Sequence, residues 1–118
     1  MARILLAEDD NSLRGFLTRA LERAGHDVVD CENGDDAIDA LEGVGFDLLL
    51  TDIVMPGADG IEVARVASAR FPGMKIMFIS GFAAVALTAA QASPQAKVLS
   101  KPVHLRDLVE EVDRMIAA

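Results

Sequence analysis

The sequence predicts an α/β domain: a doubly wound parallel sheet of five strands with helices on both faces. Two observations carry that expectation. Short apolar runs alternate with longer segments in which apolar residues recur at helical spacing, the chain order of parallel strands joined by crossover helices. The apolar runs are also continuous instead of alternating, as in strands buried on both faces. With 118 residues, 52% of them apolar, the chain can fill one core of this kind without disulfides or a structural metal.

The first strand is read at 3–7 (RILLA), just ahead of Glu8-Asp9-Asp10. Leu13, Phe16, Leu17, Ala20, Leu21 and Ala24 then form a helical stripe that stops at Gly25, a residue suited to a left-handed helix end. A second strand at 27–31 (DVVDC) leads to the stripe Ala37, Ile38, Leu41 and Val44, closed by Gly45. The third strand, 46–51 (FDLLLT), is followed by the Asp59-Gly60 turn and the stripe Ile61, Val63, Ala64, Val66 and Ala67, which Phe71-Pro72-Gly73 ends. A fourth strand at 75–79 (KIMFI) precedes a helix over 82–93 whose six alanines favour helix but give it a shallow packing face. The fifth strand, 96–99 (AKVL), is followed by a last helix carrying Leu105, Leu108, Val109, Val112, Met115 and Ile116. No linker, repeat or low-complexity run divides 1–118, so one domain without an attached output domain is expected.

Charge narrows the partners. The chain carries 19 acidic and 11 basic residues, a formal charge of −8, with a net −10 in 1–59 and +2 in 60–118. Nucleic acid and anionic membrane surfaces need a basic face, so a protein or a cation is the expected partner. The single cysteine, Cys31, excludes an internal disulfide and a Cys-rich zinc site, which fits a reducing compartment. The apolar run before Glu8, Ile4 to Ala7, is only four residues long, too short for a signal peptide, and no window reaches membrane-spanning length. A cytoplasmic protein with no membrane insertion is expected. His26 and His104 are read as surface residues at element starts, and Glu32, Asp35, Asp36 and Asp39 as a solvated helix face.

In doubly wound sheets ligands bind beyond the carboxyl ends of the strands. Those ends carry Glu8-Asp9-Asp10, Asp52, Ser80-Gly81 and Lys101-Pro102. Carboxylates crowded at one rim are relieved by a raised pKa or by a divalent cation, and an oxygen-only set suits Mg²⁺. Asp52 is then placed to act as a nucleophile toward phosphorus, with Lys101 and the Ser80 hydroxyl to hold phosphoryl oxygens.

Together, in this order, these motifs resemble the receiver domain of bacterial two-component response regulators over essentially the whole chain. The resemblance implies the strand order 2-1-3-4-5 and Asp52 as phosphoacceptor. It implies Mg²⁺ held by Asp10, Asp52 and the Val54 main-chain carbonyl, with Asp9 acting through a metal-bound water. Ser80 and Lys101 would grip the phosphoryl group, and the Lys101-Pro102 bond would be cis. The donor would be a sensor histidine kinase or a histidine phosphotransfer protein. The protein would be no turnover enzyme but a phosphoacceptor assisting its own phosphorylation and dephosphorylation. Without an output domain its target would be a protein bound directly. The chain is similar to single-domain regulators of cell-cycle control that prime the ClpXP protease; a relay shuttle to a histidine phosphotransfer protein is the alternative. Two departures stand out. Val98 occupies the position where many receivers carry an aromatic switch residue, so coupling is expected to run through 81–95. Val54 and Phe82, two residues after Asp52 and Ser80, cannot orient a hydrolytic water, so the acyl phosphate is expected to resist rapid self-hydrolysis.

Plainer readings exist for each motif: Asp9-Asp10 as a helix cap, Thr51-Asp52 and Ser80-Gly81 as ordinary turns, Lys101-Pro102 as the start of a helix. Four such coincidences at successive strand ends are improbable. Competing functions lack their motifs. There is no Gly-x-Gly-x-x-Gly and no Gly-Lys-Ser/Thr, and an aspartate-nucleophile phosphatase would want an acid at Val54.

Overall fold

In the computed structural model, which describes residues 1–43 and 45–118, ten elements alternate strictly. They are β1 (Arg3–Ala7), α1 (Asn11–Arg23), β2 (Asp27–Cys31), α2 (Gly34–Ala40), β3 (Leu48–Asp52), α3 (Gly60–Arg70), β4 (Lys75–Ser80), α4 (Ala83–Ala92), β5 (Lys97–Ser100) and α5 (Leu105–Ala117). All pairings are parallel and the order is β2-β1-β3-β4-β5, as expected. Strand alternation divides the core. Ile4, Leu6, Leu48, Leu50, Met77 and Ile79 face Leu17 and Leu21 of α1 and Leu108 and Val112 of α5. Leu5, Leu49, Ile76 and Phe78 belong to the other side, with Ala37 of α2, Val63, Ala64 and Ala67 of α3, and Ala89 of α4.

Several local expectations change. Only β1, β3 and β4 are buried on both faces; the sheet edges leave β2 and β5 largely half-buried or exposed, because each has a neighbour on one side only. α2 ends at Ala40 with Leu41 as its cap, short of the predicted stripe, and Val44 lies outside the described residues. Phe16 leaves the α1 stripe and is 53% exposed, its ring covered instead by the Arg19 guanidinium, 5.2 Å from the ring centroid. Asp36 is no idle surface charge. Its N–H donates to Asn33 Oδ1 (2.7 Å), and its carboxylate accepts from Asn33 Nδ2 (3.1 Å), closing the start of α2. The expected α4 is present and shallow, with Ala89 its only fully buried residue.

His26 is the clearest reversal. It is buried: Nδ1 accepts from the Ala2 N–H (3.1 Å) and Nε2 lies 2.8 Å from Asp113 Oδ1. Since Nδ1 accepts, the ring proton sits on Nε2 and is donated to Asp113. The start of β1 and the last helix are thereby fastened through one imidazole. His104 is exposed, as expected. Among the described residues no helix is long and apolar enough to cross a membrane.

Candidate functional site

The carboxyl ends of β1, β3 and β5 converge on a buried charge cluster. Period-two alternation explains why. Leu6, Leu50 and Leu99 share the α1/α5 side of the sheet, and two residues beyond each come Glu8, Asp52 and Lys101. Lys101 Nζ donates to Asp52 Oδ2 at 2.9 Å and lies 3.4 Å from Glu8 Oε1. Asp52 Oδ1 accepts from the Ile53 N–H at 2.7 Å. Lys101 is joined to the neighbouring strand by its own N–H, which donates to the Ser80 carbonyl at 2.8 Å. The Lys101-Pro102 bond that follows is cis.

Glu8 is fully buried. Its Oε2 accepts from the Asp10 N–H (3.1 Å), while Oε1 has ion-pair proximity to Lys101 without hydrogen-bond alignment. Burial first, and the nearby Asp52 charge with it, push its carboxyl up to about 7 against the lowering effects of the Asp10 N–H and Lys101. At Lys101, partial burial works against the charge. The Asp52 and Glu8 carboxylates outweigh it and hold the ammonium above the usual lysine range.

The acidic set is not the one expected from sequence. Carboxylate oxygens of Glu8, Asp9 and Asp52 lie within 4.8 Å of one another. Asp10 is not among them: its Oδ1 accepts from the Leu13 N–H at 3.0 Å, so it is the N-cap of α1. Asp10 thus serves as a helix cap, and the carboxylate gathered beside Asp9 and Asp52 is that of Glu8. The signal was available in the strand parity, which carries Ile4 and Leu6 on to Glu8, and in the three-residue spacing of Asp10 to Leu13. Ser80 is buried at the end of β4, but its hydroxyl donates to the Phe82 carbonyl and accepts from the Phe82 N–H, both at 3.0 Å. It is therefore engaged with its own loop. Val54, two residues after Asp52, lies in the β3–α3 loop and is 52% exposed.

The donor set fits a hard divalent cation. It is all oxygen, carries three carboxylates against one ammonium, and includes a buried oxygen, Glu8 Oε1, with no hydrogen bond. Cys31 offers no alternative chemistry, since burial and the Asp36 and Asp30 carboxylates push its thiol up to about 11.

A pH dependence follows from Glu8. Because its carboxyl rises from 4.5 to about 7 on folding, the native state holds a proton that the unfolded chain releases between those values. Stability without divalent ions is therefore expected to fall as pH rises from 5 toward 7 and then level off. Glu8→Gln is expected to flatten that slope and to be the more stable protein at pH 8, by on the order of 1–3 kcal/mol. Urea unfolding at pH 5 and pH 8 in EDTA checks this; equal slopes for the two proteins would refute it.

Comparison with known proteins agrees with this geometry. The model of the response regulator receiver domain matches residues 4–113. The chain is 59% identical to the response regulator receiver protein CpdR of Brucella abortus, over 100% of this chain and 99% of that one. A response regulator receiver protein from Sinorhizobium medicae superposes with TM-score 0.91 at 36% identity, covering 98% of this chain and 94% of the other. The response regulator TrrA of Thermotoga maritima, solved in complex with Mg²⁺-BeF, does so at TM-score 0.86 and 27% identity, covering 98% and 99%. A family match over nearly the whole chain, on a sheet whose carboxyl rim gathers an aspartate, two further acids and a lysine, means that this chain belongs to the response regulator receiver domains.

Proposed function

We propose that the protein is a single-domain response regulator whose Asp52 accepts a phosphoryl group from the phosphohistidine of a sensor kinase or a histidine phosphotransfer protein. The observation that carries this reading is the 2.9 Å contact of Lys101 with Asp52 beside the Glu8 and Asp9 carboxylates. An Asp52 carboxylate oxygen attacks phosphorus, and the P–N bond to imidazole breaks with its electron pair going to the nitrogen. Lys101 holds charge on the phosphoryl oxygens, and the buried rim limits water near them. Glu8, Asp9, Asp52 and the Val54 main-chain carbonyl would hold Mg²⁺. The ion, when bound, neutralises phosphoryl charge.

Ser80 takes part only by turning. To donate to a phosphoryl oxygen its hydroxyl must leave the Phe82 carbonyl, at the residue that precedes α4. With Val98 in place of an aromatic, this release is the proposed link from Asp52 to segment 81–95, whose α4 buries a single residue deeply. The output would be a direct protein contact. Identity of 59% with CpdR over the whole chain supports ClpXP priming in cell-cycle control as that output.

The test is intact mass after incubation with Mg²⁺ and acetyl phosphate. Wild type is expected to gain one phosphoryl group; Asp52→Ala, and wild type in EDTA, none. No gain by wild type would remove the reading. Capture of purified ClpXP by wild type and Asp52→Ala, before and after phosphorylation, would test the proposed output.

A further inference from the structure

We propose that Asp35, on the acidic face of α2, is a positioning residue for the loop that follows the phosphoacceptor. The inference rests on the Asp52 reading above. The ends of that loop are tied locally: the Ile53 N–H donates to Asp52 Oδ1 at 2.7 Å, and the Gly60 N–H donates to the Ile53 carbonyl at 2.8 Å. Its interior is held from outside, by the first turn of α2. The Ala58 N–H donates to Asp35 Oδ1 at 3.2 Å, and the Gly34 N–H donates to the Pro56 carbonyl at 3.4 Å.

Two glycines show how close this contact is. A Cβ on Gly34 would fall on the Ala58 carbonyl oxygen, and one on Gly57 would meet the Asp35 carboxylate. Gly57 is also at φ +74°, a backbone conformation that side chains disfavour. Asp35 is free for the task because the neighbouring cap is self-contained: Asn33 and Asp36 satisfy each other. The first turn of a helix also favours a carboxylate electrostatically, and an ionised acceptor makes the stronger bond to an N–H.

The loop so held includes Val54, two residues after Asp52, whose carbonyl is the one backbone group proposed to face the cation. Removing the Asp35 bond frees 54–58 to sample other conformations, and cation binding must then order them again. Asp35 thus sets cation affinity through the loop without touching the cation.

The experiment compares wild type, Asp35→Ala and Asp35→Asn by calorimetric Mg²⁺ titration and by the rate of phosphorylation from acetyl phosphate as a function of Mg²⁺. Asp35→Ala is expected to weaken Mg²⁺ binding about tenfold, the scale seen when groups that orient ligands are lost. Its half-saturating Mg²⁺ for phosphorylation should shift by the same factor while the rate at saturating Mg²⁺ is retained. Asparagine keeps the Oδ1 acceptor, as a weaker one, and is expected to restore most of the wild-type affinity. A role in stability alone would lower the melting temperature of Asp35→Ala and leave Mg²⁺ affinity unchanged, which would overturn the proposal. So would Asp35→Asn behaving as Asp35→Ala, which would assign the effect to charge. Wild type that takes up no phosphoryl group would overturn the phosphoacceptor reading and this proposal with it.

Discussion

Gly60→Ala is expected to destabilise the protein by ~3 kcal/mol or more, although alanine is the better helix former by about 1 kcal/mol and Gly60 begins α3. The steric effect wins because of what lies opposite. A Cβ at Gly60 would overlap the Asp52 carbonyl oxygen and crowd Ile53 Cα. Backbone atoms of a central strand cannot rotate away as a side chain could. That same carbonyl accepts the Thr51 hydroxyl at 2.7 Å inside the core, so displacing it costs a buried hydrogen bond as well. Because the residue pushed is the proposed phosphoacceptor, phosphorylation by acetyl phosphate should be lost even where the variant remains folded. Gly73→Ala is the control: nothing lies within 4 Å of its Cβ position, and its stability should stay within about 0.5 kcal/mol of wild type. Urea unfolding of both variants decides the matter; a Gly60→Ala as stable as Gly73→Ala would refute the steric argument.

Lys101→Ala is expected to move two properties in opposite directions. Phosphorylation should slow by about 10²–10³-fold, the range for losing a preorganised group at developing charge. Mg²⁺ affinity should rise, because the ammonium that now occupies Asp52 Oδ2 at 2.9 Å repels a divalent cation and competes for the same oxygen. Lys101→Arg should recover little of the rate, since a planar fork cannot replace a compact charge that serves Asp52 and Glu8 at once. Calorimetry and single-turnover phosphorylation separate the two effects. Weaker Mg²⁺ binding in Lys101→Ala would count against the competition.

The fold was almost wholly legible because its signals are local. Continuous apolar runs, stripes at helical spacing and turn residues place all ten elements, and the errors lie where tertiary position decides. Nothing in DVVDC says that it will be an edge strand. Nothing around Gly25-His26-Asp27 says that Asp113 will arrive to make the imidazole a buried link. At the rim, the strand-end positions of Asp52 and Lys101 were readable in the sequence, and the structure brings the two side chains to 2.9 Å. Which members of the acidic triplet gather beside Asp52 was not readable, because Glu8, Asp9 and Asp10 are chemically interchangeable in one dimension. What separates them is a strand parity that buries the first and a helix start that claims the third. Asp35 was dismissed as solvated for a related reason: its hydrogen-bond partner, Ala58, is 23 positions away in the chain.

The division of the core by the sheet has one more consequence. The sheet is a bulkhead: α1 and α5 stand in one apolar compartment, α2, α3 and α4 in the other, and only the strands belong to both. α4 is moored to its compartment through Ala89, so it can shift without disturbing the packing of Leu17, Leu21, Leu108 and Val112 across the partition. A protein that holds the α1 side would meet the same surface whether α4 is seated or displaced.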